Sequence, residues 1–378
     1  MIAVIADDFT GAAELAGIGL RYGLRVELLL SAVKDTDADM LVVCTNSRSM
    51  DSAEAEAVTG RITEEIVTLQ PSLIYKKIDS VFRGHVLDEL NIQMQRMNKP
   101  RAIVLAANPS LGRTIRDGIY YINGQPVSET GFANDPEFAV TDSSVLKIVK
   151  AVDDDIQLLK PADILPAEGV VIAEAETAAD IKVWAEKAGE SSVLAGAGDF
   201  FTAILHKKFI LQPQAQPVLE LPHLYVCGTA FGQSHEFINR VAAQQHCVAW
   251  LTDTMMQSGE TDEIWLKGVT GMLRENNKAI IAIDTEQRNR LNVSALFLRA
   301  MMARVVKAVI RATGVRELFI EGGSTAAAVL EELDVHAFSL VNELERGVVR
   351  MKTGDKNIYI TVKPGSYQLP QQVSALYS

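Results

Sequence analysis

The chain is short of cysteine, of aromatic residues, of histidine and of positive charge. Its three cysteines, Cys44, Cys227 and Cys247, form no CxxC pair. An odd number of scattered thiols, two of them in apolar runs, argues against a disulfide framework or a cysteine metal site. It reads as buried, reduced thiols of a reducing compartment. Lys and Arg number 36 against 48 Asp and Glu, a net charge of -12. Phosphate backbones are bound through excess cations, so no nucleic-acid partner is expected. A small anionic substrate needs only a few local cations and stays open. No uninterrupted apolar run approaches membrane-spanning length, so no membrane partner is expected either. The opening residues MIAVIA read as a strand without the basic segment of a signal peptide, and the expected location is the cytoplasm.

Several motifs are missing as well. There is no GxxxxGK[ST] phosphate loop, no HExxH and no GxSxG. Gly17, Gly19 and Gly23 imitate a dinucleotide fingerprint only at a wrong spacing and inside a helix. The six histidines are dispersed, and each reads as structural. No internal repeat, low-complexity tract or heptad run is visible.

What is present is alternation. A chain of 378 residues exceeds what one hydrophobic core usually serves, so two domains are expected. Short Val/Ile/Leu runs mark strands at residues 2–6, 26–30, 40–45, 73–77 and 102–107. Helical spacing marks helices at about 11–22, ending near Gly23, and at 52–69 and 85–97. Such alternation reads as βαβ units around a mostly parallel sheet. Residues 118–130 read as a hairpin turning at Asn123-Gly124. Residues 212–222, QPQAQPVLELP, hold three prolines without a helical period and read as a linker. Strands then resume at 223–227, 279–283 and 317–321, with a long helix at about 294–313 and shorter strands from 336 onward, including 357–362. The expected fold class is therefore α/β. Residues 1–211 would form one domain and 223–378 another, each a mostly parallel sheet flanked by helices.

Four constellations carry chemistry. In open α/β sheets ligands bind beyond the carboxyl ends of strands. Ala6-Asp7-Asp8-Phe9-Thr10-Gly11-Ala12 puts two adjacent carboxylates at such an end. They could hold magnesium, orient hydroxyls or accept a proton; equally, one could cap the following helix while the other is solvated. Lys76-Lys77-Ile78-Asp79-Ser80-Val81-Phe82-Arg83-Gly84-His85 follows another strand, and its arginine suits carboxylate or phosphate recognition. Asn108-Pro109-Ser110-Leu111-Gly112-Arg113-Thr114 taken alone reads as an ordinary loop. Glu321-Gly322-Gly323-Ser324-Thr325 lies between strand and helix, where free N–H groups and the helix dipole favour an anion. Gly228-Thr229-Ala230-Phe231-Gly232-Gln233-Ser234 and Lys363-Pro364-Gly365-Ser366 are weaker companions.

Taken together and in this order, ADDFTGA, CTNSRSM (44–50), KKIDSVFRGHV (76–86), NPSLGRTIRDGIYYINGQPVSET (108–130), GGSTA (322–326) and KPG (363–365) resemble the four-carbon acid sugar kinase family over nearly the whole chain. The resemblance implies an N-terminal domain that binds an acid sugar and a C-terminal domain that binds ATP. It implies phosphorylation of the terminal hydroxyl of a tetronate or 3-oxo-tetronate, with the active site in the cleft between domains. It places the substrate on Asp7, Asp8, Thr10, Lys77, Asp79, Ser80, Arg83, Asn108, Gly112 and Arg113. It places ATP on Gly228, Thr229, Ser234, Gly322, Gly323, Ser324, Thr325 and Gly365.

The expected chemistry is in-line transfer. Magnesium bridges the ATP phosphates, Asp8 or Asp7 accepts or orients the hydroxyl proton, and Arg83 and Lys77 hold the carboxylate or the transferring group. The chain departs from the family where Gly-Ser-Cys-Ser is replaced by Gly228-Thr229-Ala230-Phe231, and where KPGGFG reads KPGSYQ. Those departures motivate an alternative, a binding protein of the same fold with impaired transfer. A dehydrogenase, suggested by α/β alternation alone, lacks the fingerprint it would need.

Overall fold

The computed structural model describes residues 1–134, 138–151, 156–213, 216–229, 232–354, 356–365 and 367–378. Ala230, Phe231 and Ser366 of the glycine-containing loops lie outside the described residues. The chain divides into two compact units, Met1–Pro213 and Gln214–Ser378.

In the first unit the strands are β1 (Ile2–Ala6), β2 (Val26–Leu30), β3 (Met40–Cys44), β4 (Leu73–Lys77), β5 (Arg101–Leu105), β6 (Arg113–Arg116), β7 (Ile119–Ile122), β8 (Gln125–Pro126), β9 (Ile156–Leu159), β10 (Gly169–Ala173) and β11 (Ser192–Gly196). The main sheet runs β2-β3-β1-β4-β11-β5-β10-β9 and is parallel throughout. Every residue of β1 and β3 is buried, as expected of parallel strands covered on both faces. This is why they read as continuous apolar runs rather than as alternation.

The flanking helices begin where the sequence supplies caps. Asp8 accepts the Gly11 N–H at the start of helix Phe9–Arg21, and Asp51 accepts the Glu54 N–H at the start of Ser52–Thr68. The first of these helices starts two residues before the expected position, because Asp8 serves as the cap. It ends as expected at Gly23, with the Leu24 N–H returning to the Gly19 carbonyl.

Strands β6, β7 and β8 form a separate antiparallel sheet. Asn123-Gly124 turns β7 into β8 as the sequence suggests. A second two-residue turn, Asp117-Gly118, joins β6 to β7, and all four turn residues have positive φ. The sequence reading had left residues 113–114 in a loop; they open strand β6.

The second unit holds β12 (His223–Cys227), β13 (Val248–Trp250), β14 (Lys278–Ala282), β15 (Glu317–Glu321), β16 (Ala337–Glu345), β17 (Val348–Thr353) and β18 (Tyr359–Lys363). Their order is β13-β14-β12-β15-β18-β17-β16. The first five are parallel, and β17 and β16 complete the edge antiparallel. Helix Ala295–Ala312, capped by Ser294, leads from β14 towards β15.

The proline-containing segment is tied down at both ends. The Gln212 N–H donates to the Arg21 carbonyl of the first unit. Leu219 joins the apolar cluster of the second, and the Glu220 N–H donates to Glu317 at 3.1 Å.

Both sheets change direction at one point. From β1 the chain goes to β2 and β3 on one side and then crosses to β4 on the other. From β12 it goes to β13 and β14 on one side and then crosses to β15. At such a switch the loops after the two neighbouring strands run apart and leave a crevice.

Candidate functional site

The crevice of the first unit opens beyond the ends of β1 and β4, where Ala6 pairs with Lys77. Asp7 and Asp8 follow β1, and Asp79, Ser80 and Arg83 follow β4. At the centre stands Arg48, in the short turn Ser47–Ser49 after β3. Its Nε donates to Asp7 Oδ2 at 2.8 Å, its Nη2 lies 2.9 Å from Asp8 Oδ1, and its Nη1 lies 3.6 Å from Asp79 Oδ1. One guanidinium thus joins carboxylates from two strand ends. Arg83 closes the other side of Asp79 as a fork, with Nε and Nη2 donating at 2.9 and 2.8 Å. Asp79 also accepts the N–H groups of Val81 and Arg83.

Burial works against the Asp79 charge, but Arg48, Arg83 and Lys77 outweigh it and hold its carboxyl well below the ordinary range. Burial likewise opposes the Asp8 charge and loses to Arg48, Lys77 and the Thr10 hydroxyl, so its pKa is lowered. For Asp7 burial wins, helped by the neighbouring Asp8, and its pKa is raised despite Arg48.

Asp8 is both helix cap and ion-pair partner, while Asp7 is 4% exposed, so neither of the adjacent acids is merely solvated. The Thr10 hydroxyl is spent on Asp8 at 2.5 Å. The Lys77 ammonium donates to the Ile78 carbonyl at 2.8 Å and lies 3.6 Å from Glu14. Asn108 is buried, and its N–H and carbonyl pair with the carbonyl and N–H of Arg113. That closed loop delivers the Arg113 side chain to the Ser80 hydroxyl, to which its Nη1 donates. Gly112, at φ 67, turns the loop. Below the crevice a buried pair, Lys76 with Glu89, continues through Ser47 to Thr45 and the Ala6 carbonyl. This chain of hydrogen bonds ties the turn carrying Arg48 to the end of β1.

The second crevice lies beyond β12 and β15. Cys227 is level with Glu321, and Glu321 with Lys363 at the end of β18. Gly322 has φ 108 and precedes helix Gly323–Glu332, which has no side-chain cap. The first-turn N–H groups of Gly323, Ser324 and Thr325 have no intrahelical partner, no side chain caps them, and they form the positive end of the helix. Across the crevice, a Cβ on Gly228 would come within 2.0 Å of Thr325 Oγ1, so only glycine fits there.

Beneath both loops Glu321 is fully buried. It receives the Tyr225 and Ser234 hydroxyls and lies 2.7 Å from Lys363 Nζ. Lys363 also donates to the Pro364 and Gly365 carbonyls at 3.2 and 3.3 Å, which fixes the turn after β18. Ser234, which the resemblance places at the nucleotide, donates its hydroxyl to this buried network.

Nothing in the sequence alone marks Arg48, Glu14, Glu89 or Tyr225 as site residues, whereas Glu321 and Lys363 stand within the strand-end motifs without a role of their own. Arg48 lies within CTNSRSM, yet nothing local distinguishes a central guanidinium from a loop arginine. Strand adjacency does that.

Among the described residues no group of three or more His, Cys, Asp or Glu side chains could hold a metal ion. The acids of the first crevice are already shared among guanidinium and ammonium groups, and Glu321 is spent on Lys363. Neither set suits a resident magnesium ion.

Comparison with known proteins gives the same division. Residues 2–204 match the family described as sugar-binding N-terminal domain, and residues 224–367 match the nucleotide-binding C-terminal domain. The chain is 27% identical over 379 residues to a D-threonate kinase of Salmonella typhimurium, across 90% of this chain and 88% of that one. It is 24% identical over 416 residues to a 3-oxo-tetronate kinase of Pseudomonas savastanoi, across 97% and 94%. A crystal structure of a Haemophilus influenzae protein shares the fold, with a TM-score of 0.78 at 17% identity over 99% of this chain and 98% of that one.

Proposed function

We propose, from the premise that this chain belongs to the four-carbon acid sugar kinase family and is a phosphotransferase with an alcohol acceptor, that it transfers the γ-phosphoryl group of ATP to the terminal hydroxyl of a tetronate or 3-oxo-tetronate. The observation that carries this reading is the contrast between the two strand-end crevices. One is lined by ionised side chains able to grip hydroxyls and a carboxylate. The other is lined by glycines and uncapped N–H groups suited to phosphate. D-threonate and 3-oxo-tetronate kinases are the relatives that support the substrate class.

In this reading the hydroxyl O–H bond breaks as the O–Pγ bond forms, and the bond from Pγ to the β-phosphate oxygen breaks to release ADP. The charged acids of the first crevice orient the hydroxyl and take up its proton. The uncapped N–H groups at Gly323–Thr325 hold phosphate oxygens. Magnesium travels as part of the MgATP substrate, since such ions are held mainly by substrate phosphates.

The test is ADP release from ATP with a panel of four-carbon acids, including D-threonate, D-erythronate and their 3-oxo forms. Phosphate recovered on the terminal oxygen supports the proposal. Nucleotide binding without ADP release for any acid would instead favour a binding protein of the same fold.

A further inference from the structure

We infer that Arg113, with the hydroxyls of Ser80 and Tyr120, is the seat of the substrate carboxylate and therefore the group that selects an acid over a neutral polyol of the same length. The inference rests on the acid-sugar reading above and names the residue that would enforce it.

The resemblance leaves Arg83 and Lys77 to hold either the carboxylate or the transferring group, and in the structure both already have partners. Arg83 spends its fork on the two oxygens of Asp79, and Lys77 is held by Glu14 and the Ile78 carbonyl. Arg48 is shared among Asp7, Asp8 and Asp79. Arg113 differs. Among the described residues its partners are the Ser80 hydroxyl and the face of the Phe132 ring, 5.6 Å from ring centroid to guanidinium carbon, and it pairs with no carboxylate. A guanidinium has five N–H donors in a fixed fork, so most of its donor capacity is unspent. The Phe132 ring, with Arg83 also against it at 5.3 Å, limits where that fork can turn.

Charge balance asks for such a group. In this crevice Asp7, Asp8, Asp79 and Glu14 face Arg48, Lys77 and Arg83, leaving an excess of negative charge. A substrate carboxylate entering there would be repelled unless another cation received it. Arg113 is that cation.

A second observation points to the same place. The Tyr120 hydroxyl is completely buried and has no hydrogen-bond partner. An orphaned buried hydroxyl costs stability and asks for a reason. In the β6–β7 pairing Arg113 stands opposite Ile122 and Ile115 opposite Tyr120, so Arg113 and Tyr120 share one face as diagonal neighbours. Burial raises the Tyr120 pKa, and the nearby Arg113 charge opposes the rise, which places hydroxyl and guanidinium within electrostatic reach. A carboxylate between them would accept from both.

The experiment uses the full chain and whichever of D-threonate and D-erythronate the wild type binds more tightly by calorimetry. The neutral tetritol of the same configuration serves as the counterpart. Arg113→Met is expected to weaken binding of the acid by about 30-fold or more, the cost of a lost charge-assisted fork, and to collapse the preference for acid over tetritol by a similar factor. Arg113→Lys should restore part of the affinity, because a point charge replaces the fork. Tyr120→Phe should reduce acid affinity by a smaller factor without lowering the melting temperature. If Arg113→Met binds the acid normally, or loses acid and tetritol by the same factor, the seat is elsewhere. Wild-type binding of neither acid also overturns it, while ATP turnover with any other acid would still support the kinase reading. Conversely, Arg113-dependent binding without turnover would uphold the seat and count against the kinase.

Discussion

The two units arrange their first strands alike. The order β2-β3-β1-β4 in the first matches β13-β14-β12-β15 in the second, and each leaves a crevice at the same turning point. What fills the crevices is opposite. In the first, charged side chains from three strand ends pair with one another, and backbone groups play a minor part. In the second, side chains retreat below the loops, where Glu321 and Lys363 bury each other, and the backbone lines the crevice. The comparison teaches that the strand order supplies a place, and the residues just past the strand ends decide what it can bind. A polyhydroxy acid needs donors and acceptors at fixed points. A phosphate needs converging N–H groups and no side chain in the way.

The largest effect should come from removing the centre of the charged crevice. Arg48→Met leaves buried carboxylates uncompensated, which should cost about 3–5 kcal/mol. Denaturant unfolding would measure the loss, and calorimetry should show ATP binding preserved in the folded fraction. If nucleotide affinity fell as far as acid affinity, the two crevices would not be the separate devices described above.

Gly228→Val tests the other side. Its Cβ would overlap the Thr325 side chain, so the loop must move from the uncapped helix. Overpacking of this kind costs about 1–3 kcal/mol, and we expect ATP affinity to fall by about tenfold or more while acid binding persists. Normal ATP affinity in a folded variant would mean that the nucleotide sits on another loop.

Arg83→Ala should cost about 1.5–3 kcal/mol in acid use measured as kcat/KM, with ATP affinity unchanged and the fold retained. It acts through Asp79, whose fork it removes, so Arg83→Lys should recover only part. An unchanged specificity constant would remove Arg83 from the site.

The smallest effect is with pH. Asp79 and Asp8 have lowered folded pKa values, so each contributes stability that is present above the ordinary value of 3.8 and lost as pH falls through the folded value. Asp7 is raised, so its ionisation costs stability as pH climbs past 3.8. As pH falls from 6 towards 4 the Asp7 contribution grows while those of Asp79 and Asp8 hold, so the loss of stability appears only below about pH 4. Denaturation at stepped pH checks this, and Asp79→Asn should remove more of the low-pH slope than Asp8→Asn.

Much of this was legible in the sequence, because it is encoded locally. Parallel strands covered on both faces are mostly apolar, so β1, β4, β12 and β15 appear as short apolar runs with their observed limits, despite Lys76 and Lys77 in β4 and Glu317 and Glu321 at the ends of β15. Asp8, Asp51 and Ser294 cap helices because short polar side chains satisfy the first free N–H groups. The hairpin at Asn123-Gly124 follows from residues that tolerate positive φ. The strand-end position of Asp7, Asp79, Gly322 and Gly228 follows from the same pattern.

Only the tertiary structure decided which of these ends meet. Arg48 becomes central because β3 lies beside β1 and β1 beside β4, an order fixed by packing and crossover geometry rather than by nearby residues. The matching strand order of the two units has no counterpart in sequence similarity, because burial constrains hydrophobicity at those positions and not identity. Ser234 stands in a glycine-containing motif, and its hydroxyl could be given a partner only once Glu321 was seen beside it. Local chemistry is written in neighbouring residues. The pairing of charges across 31 to 63 positions depends on where the chain returns, and that is settled by the fold.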